Sequence, residues 1–280
     1  MAESTKIEWA DATMNPWVGC TKVSAACDSC YAESWAKRTG QPGLWAGDRR
    51  RTTPAYWRQP LKWNAESPAK HGRPTRVFCA SLSDIFDNQV PTEWRNDLWE
   101  LIGSTPDLIW MLLTKRPQNI AKMLPVGMNP YTSGWPWPNV WLGTTAENQT
   151  EADRRIPLLL AAPAAKHFIS CEPLLSSIDL SPWVDKISWT IVGGESGPKA
   201  RPMHPDWARS LRDQCKAAGV PFHFKQHGEY REALPGDLEA GKYYEAFSFT
   251  GDVRQQTVIK FGKKRAGRLL DGVEHDAFPA

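Results

Sequence analysis

The N-terminus of this sequence has no apolar run. MAESTKIEWADA carries Glu3, Lys6 and Glu8 where a secretion signal or membrane anchor needs a hydrophobic stretch, so a cytoplasmic protein with no membrane partner is expected. A strong overall charge is also lacking: 34 Lys and Arg stand against 31 Asp and Glu in 280 residues, a net charge of +3. There are only six cysteines, three of them dispersed, which does not describe a small disulfide-stapled domain. No G-x-G-x-x-G follows the first apolar strand run. Gly193-Gly194-Glu195-Ser196-Gly197 lacks the G-x-x-x-x-G-K-[ST] spacing of a phosphate loop, so its glycines are read as letting backbone approach a ligand.

What the sequence does have is concentrated in residues 15–34, NPWVGCTKVSAACDSCYAES, where Cys20, Cys27 and Cys30 fall together. Three thiolates this close need a metal or a cluster. A structural zinc site takes four protein ligands, yet no fourth cysteine is near and the first histidine is His71. A 4Fe-4S cluster held by three thiolates leaves one iron open, which marks a reactive site. A zinc-stabilised nucleic-acid-binding protein remains the alternative.

The motif Asn-Pro-aromatic-x-Gly-Cys followed by Cys-x-x-Cys-Tyr-Ala resembles the cluster loop of radical SAM enzymes, in particular the branch related to spore photoproduct lyase. Two departures stand out: the spacing here is C-x6-C-x2-C rather than C-x3-C-x2-C, and Ser29 replaces the aromatic residue before the last cysteine. Over its whole length the chain resembles the phage Gp37/Gp68 family. The resemblance implies a 4Fe-4S cluster and S-adenosylmethionine as cofactors, and an electron donor such as flavodoxin or ferredoxin. It also implies reductive cleavage to a 5'-deoxyadenosyl radical that abstracts hydrogen from substrate. A thymine-type base in phage DNA, or a nucleotide, is the substrate it suggests; a monomer is expected.

Six apolar, β-branched runs recur along the chain: 76–81, 108–114, 139–145, 166–172, 188–195 and 221–226. Their starts are one βα unit apart, and their near-continuous hydrophobicity suits parallel strands covered on both faces. Helices are expected at 31–38, over TEWRNDLWELIGST with Thr92 as cap and Trp94, Leu98, Leu101 and Ile102 as its stripe, and over DWARSLRDQCKAAG between Asp206 and Gly219. Residues 39–75 show no clean period. With the resemblance, the fold expected is α/β: a partial (β/α)6 TIM-like barrel of radical SAM type over 1–228, with a small C-terminal β extension over 229–280.

In such a barrel the site lies at the C-terminal strand ends, and polar residues follow each run. Ser81, Ser83 and Asp84 fall where the resemblance implies capture of the methionine amine, and Lys115 where it implies contact with the carboxylate. Thr144, Thr145 and Asn148 suit ribose hydroxyls. Glu172, Glu195 and Arg201 are the candidates for catalysis or substrate orientation, with a Glu195 to Arg201 ion pair as the purely structural reading. Asp84, Glu172 and Glu195 also keep open a magnesium-dependent phosphotransferase or nuclease. Cys79, Cys171 and Cys215 are expected to be buried small hydrophobes. Arg49, Arg50, Arg51, Arg58 and Lys62 interleave with Trp45, Trp57 and Trp63, a pattern that fits either a nucleic-acid clamp or tryptophans packed on the barrel. The six basic residues without an acid in 253–268 likewise suit a polyanion or a solvated face.

Overall fold

A computed structural model describes residue 5 and residues 7–125, 134–234, 237, 245–250 and 255–280. All six apolar runs form strands, and a seventh precedes them. We number them β1 (Ala12–Met14), β2 (Thr75–Cys79), β3 (Leu108–Thr114), β4 (Val140–Thr145), β5 (Lys166–Cys171), β6 (Trp189–Gly193) and β7 (Phe222–Gln226). They form one seven-stranded sheet in sequential order. The pairs β1 with β2, β2 with β3, β3 with β4 and β6 with β7 are parallel. The sheet therefore has one strand more than the six expected. β1 escaped the reading because three residues are too few to show a period.

The chain divides into two compact units, Met1–Thr145 with Arg155–Phe168, and Ala146–Arg154 with Ile169–Ala280. In the first, α1 (Tyr31–Arg38) leaves the cysteine segment as expected. Residues 39–75 hold an unanticipated helix, α2 (Gln59–His71), which starts with Pro60 in its first turn and stops at Gly72 in the left-handed region. The helix α3 (Thr92–Gly103) begins at Thr92, with Pro91 rather than Thr92 in the cap position and no side-chain cap. Its buried stripe is Leu98, Trp99, Leu101 and Ile102, whereas Trp94 is only half-buried. Trp99 meets Trp135 and Trp137 edge-on with ring centroids 5.8 and 5.9 Å apart. Each such contact adds about 0.5–1.5 kcal/mol beyond area burial. This is where several of the fifteen tryptophans go. Of the Pro, Gly and Trp stretch GMNPYTSGWPWPN at 127–139, residues 127–133 lie outside the described residues.

α4 (Gln149–Leu160) follows β4. In the second unit no α-helix separates β5 from β6 among the described residues; the segment holds a short 3-10 turn at Val184–Lys186. α5 (Pro205–Ala217) is capped by His204, whose Nδ1 accepts from the Asp206 backbone N–H at 3.1 Å. The helix starts one residue before Asp206, which sits in its first turn, and Gly219 ends it as expected with φ of 68°. After β7 the pairing turns antiparallel: β8 (Tyr230–Arg231), β9 (Ala246–Phe249) and β10 (Gln256–Lys260) form a sheet in the order β8, β10, β9. Cys79, Cys171 and Cys215 are fully buried, and burial raises their thiol pKa values.

Candidate functional site

In the first unit, β1 to β4 run parallel, so their C-terminal ends share an edge. The cysteine segment leaves from β1 and is sewn to the turn after β2. Asn15, buried to 3 % exposure, accepts from Leu82 N at 2.7 Å and exchanges hydrogen bonds with the Ser81 hydroxyl at 3.0 and 3.2 Å. Ser83 Oγ donates to Trp17 O at 3.0 Å, and Tyr31 Oη donates to Ser81 O at 2.6 Å. Gly19 has φ of 111°, and a Cβ there would run into the Asp48 carbonyl. The glycine of the motif is thus required by backbone approach. Val18, Ala32, Ala36, Leu44 and Leu82 form a small apolar core against which Cys30, Trp35 and Trp45 pack.

The three cysteines are free thiols, Cys27 buried and Cys20 and Cys30 half-buried. Among the described residues no three His, Cys, Asp or Glu side chains stand in an arrangement that could hold a metal ion. Cys20 Sγ receives a hydrogen bond from Arg116 Nη1 at 3.5 Å. Burial pushes the Cys20 thiol up to about 11, with Asp84 adding to the rise and Arg116 opposing it.

Asp84 is committed to four donors: Phe86 N and Thr114 Oγ1 on one oxygen at 3.0 and 2.7 Å, Lys115 N and Arg116 Nη1 on the other at 3.0 and 3.2 Å. It ties the end of β2 to the end of β3. Lys115 itself is half-buried, and its ammonium has no hydrogen bond or ion pair among the described residues. Thr144 Oγ1 donates to Thr114 O at 2.9 Å. The Thr145 hydroxyl is buried without a partner among the described residues. Arg51 lies 4.4 Å over the Trp57 ring and pairs with Asp97, so that arginine and tryptophan are occupied with each other.

In the second unit, Glu172, just past β5, accepts from Lys225 Nζ at 2.7 Å and from Gln226 Nε2 at 3.3 Å, both at the end of β7. Gly193 lies beneath the Glu172 side chain; a Cβ there would sit 3.4 Å from its carboxyl carbon. Glu195 is gripped by Arg201 through its backbone N–H and Nε at 2.8 Å and Nη2 at 2.6 Å, the geometry of the ion pair weighed from sequence. Asn148 Oδ1 accepts from Glu151 N at 2.9 Å, capping the first turn of α4. Gly194 is required because a Cβ would overlap the His227 carbonyl.

Residues 4–279 match the family described as "Protein of unknown function (DUF5131)". The chain belongs to the DUF5131 family. That description, rather than the phage family name suggested by the whole-length resemblance, is the one the match carries. No curated protein sequence matches this DUF5131 chain. Two solved structures of spore photoproduct lyase are similar to it. One is a double mutant with bound AdoMet and dinucleoside spore photoproduct, at TM-score 0.47 and 14% identity, covering 92% of this chain and 70% of that one. The other is a complex with dinucleoside spore photoproduct, at TM-score 0.48 with the same identity and coverage.

Several residues that organise the candidate site were given no individual role in it from sequence. Arg116 touches Cys20, Asp84 and Thr21 together. Arg49 donates to Asp87 Oδ2 through Nε at 2.9 Å and reaches Thr21 Oγ1 at 3.5 Å. Lys225 holds Glu172. Their only signal was position, directly after a strand or inside a basic run. The segment supplies three free thiols and a guanidinium hydrogen-bonded to one of the sulfurs, but as they stand among the described residues these thiols are not arranged to hold a metal ion.

Proposed function

We propose that this protein is a radical SAM enzyme. What carries the reading is that Arg116 hydrogen-bonds the Cys20 sulfur while the adjacent Lys115 keeps a half-buried ammonium without a partner among the described residues. A cysteine segment and a free cation are thus brought to the end of one strand. Cys20, Cys27 and Cys30 would hold a 4Fe-4S cluster, which when bound supplies the electron that breaks the sulfonium of S-adenosylmethionine.

The remaining work belongs to the chain's own groups. Lys115 supplies a cation for the carboxylate of the amino-acid moiety; burial strengthens such a pairing relative to water. Asp84, tied to four donors, sets where that lysine starts. The Ser81 hydroxyl and the Asn15 amide hold the turn after β2 in place. The Thr145 hydroxyl, with no partner of its own among the described residues, is available to a ligand hydroxyl once the strand end opens to it. Taken by itself, the second unit offers Glu172 with Lys225 and Glu195 with Arg201 as paired charges able to hold a polar ligand. The substrate proposed from the motif's resemblance is a thymine-type base in DNA, and the electron donor a flavodoxin or ferredoxin.

The test is anaerobic reconstitution followed by iron and sulfide analysis, then incubation of the reduced protein with S-adenosylmethionine. About four irons and four sulfides per chain and release of 5'-deoxyadenosine are expected in wild type, with neither in the triple Cys20, Cys27, Cys30→Ala variant. A wild-type chain that binds one zinc and no sulfide would overturn the reading. Supplying damaged or modified thymine oligonucleotides in the same assay tests the substrate class, with base conversion as the readout.

A further inference from the structure

At the end of β7 two consecutive side chains reach one carboxylate. Lys225 Nζ donates to Glu172 Oε1 at 2.7 Å, and Gln226 Nε2 donates to the same oxygen at 3.3 Å. Neighbours in a regular strand point to opposite faces, so β7 has to depart from regularity here. It does: Val192 pairs with Phe224 but Gly193 with Gln226, which leaves Lys225 as an extra residue in the strand. A bulge of this kind breaks local pairing and re-aims a side chain. The glycines opposite keep the place clear. A Cβ on Gly193 would fill the space beneath Glu172, 3.4 Å from its carboxyl carbon, and one on Gly194 would overlap the His227 carbonyl.

The hydrogen-bonding capacity gathered there is not used up. Gln226 is 4 % exposed, and its amide nitrogen is engaged by Glu172 Oε1 and by the Gly194 carbonyl at 3.4 Å. Both of those neighbours are acceptors, so the amide cannot be turned over. Its oxygen, Oε1, is buried with no hydrogen-bond partner among the described residues, an arrangement that folding alone does not favour. Glu172 Oε2 likewise has no donor among the described residues, and the Lys225 ammonium keeps N–H groups beyond the one given to Glu172. With side chains 15% and 19% exposed, Lys225 and Glu172 can be reached from outside. Their charges cancel, so the spot favours neither a cation nor an anion. What stays unmatched is one donor group beside two acceptors, and a neutral carbonyl with N–H next to it is the complement.

We propose that the end of β5 and the bulge of β7 form a subsite for the lactam edge of a nucleobase: Lys225 donates to the ring carbonyl, while Glu172 Oε2 and Gln226 Oε1 accept from the adjoining N–H. The proposal rests on the reading of the substrate as a base, and it uses the second unit alone, without metal or S-adenosylmethionine. Methylation of the lactam nitrogen removes the donor and sets a methyl group against the acceptors, so the subsite should refuse a base modified in that way.

The test is an NMR titration of the full, iron-free chain with thymidine, guanosine and their counterparts methylated at the lactam nitrogen. At least one parent nucleoside is expected to bind, and its methylated counterpart about tenfold more weakly or worse, the loss of one hydrogen bond to a buried or charged acceptor. Gln226→Met should shrink that ratio. Lys225→Met should instead weaken parent and methylated nucleoside alike, because both keep the carbonyl. Binding of neither parent, equal binding of parent and methylated forms, or a ratio unchanged in Gln226→Met overturns the subsite; if the methionine variant does not fold, the wild-type ratio decides. Binding of guanosine alone keeps the subsite and removes thymine as the substrate. A chain that takes up zinc and no sulfide sinks the radical reading, whereas these titrations, made without iron, still decide what Glu172, Lys225 and Gln226 recognise.

Discussion

The two units handle charge at their strand ends differently. Around the cysteine segment the ion pairs are almost dry, with side chains 6%/6% exposed for Arg116 and Asp84 and 4%/1% for Arg49 and Asp87. Beyond β5 and β6 at least one partner of each pair reaches solvent: 15%/19% for Lys225 and Glu172, and 34% for Arg201 although its partner Glu195 is only 5% exposed. A buried carboxylate surrounded by donors cannot release one without stranding the others, whereas a half-exposed pair can exchange its partner for water or ligand. An acidic residue after a strand therefore says little about availability. Asp84 and Glu172 look alike in sequence, yet one is enclosed by four donors and the other is held by two partners at a part-exposed strand end.

The sharpest way to break this contrast is to remove one partner from a dry pair. Asp84→Ala leaves Arg116 buried without its main counter-charge and should cost about 3–5 kcal/mol in urea unfolding; a loss below about 1 kcal/mol would place Asp84 with the exposed pairs. Next in size is Gly194→Ala in the second unit, where the added methyl meets the His227 backbone. Such overpacking should cost about 1–3 kcal/mol, showing by thermal melts that the backbone beneath the exchangeable pairs is itself rigid.

Asp11 gives a pH readout. Burial raises its carboxyl, but the Arg73 side-chain hydrogen bond, the Arg76 backbone N–H and the charges of Arg76 and Arg73 outweigh that and hold it at about 2. With the folded value below the unfolded 3.8, its stabilisation is present above that unfolded value and fades as pH falls toward about 2. The stability gap between wild type and Asp11→Asn should be about 1–2 kcal/mol, discounted for partial exposure, and flat from about pH 5 to 8. It should close below about pH 4. The smallest stability change is expected from Lys225→Met, about 1 kcal/mol or less. Its turnover should nonetheless fall about tenfold, near 1.4 kcal/mol in barrier, because Glu172 loses the group that orients it. A large drop in melting temperature with unchanged turnover would reverse the assignment.

The strand series was legible because each parallel strand is covered on both faces, which turns its sequence into a solid apolar run. β1 was not: three residues carry no period, and its place beside β2 depends on Asp11 meeting Arg73 and Arg76, contacts 62 to 65 residues apart. The helix cap was misread at Thr92 for a related reason. Pro91 and His204 can each precede a helix, and only the backbone geometry tells which residue is the last outside it. At the candidate site, sequence picked out the residues that bear recognisable chemistry and passed over those that hold them. Arg116 stands next to Lys115 in LLTKRP, but nothing local tells that one side chain turns to Cys20 and the other stays unengaged. That distinction is made by Asp84, thirty-odd positions away.

The last residue of β4 carries a further implication. Thr145 Oγ1 is buried without a hydrogen-bond partner among the described residues, and an orphaned hydroxyl of this kind typically costs about 1–3 kcal/mol. Valine, its isostere, would relieve the penalty, so Thr145→Val should raise the melting temperature. The wild-type strand end is tuned away from its own best packing, and a ligand that brings a donor or acceptor to that oxygen would make the protein sturdier as it binds.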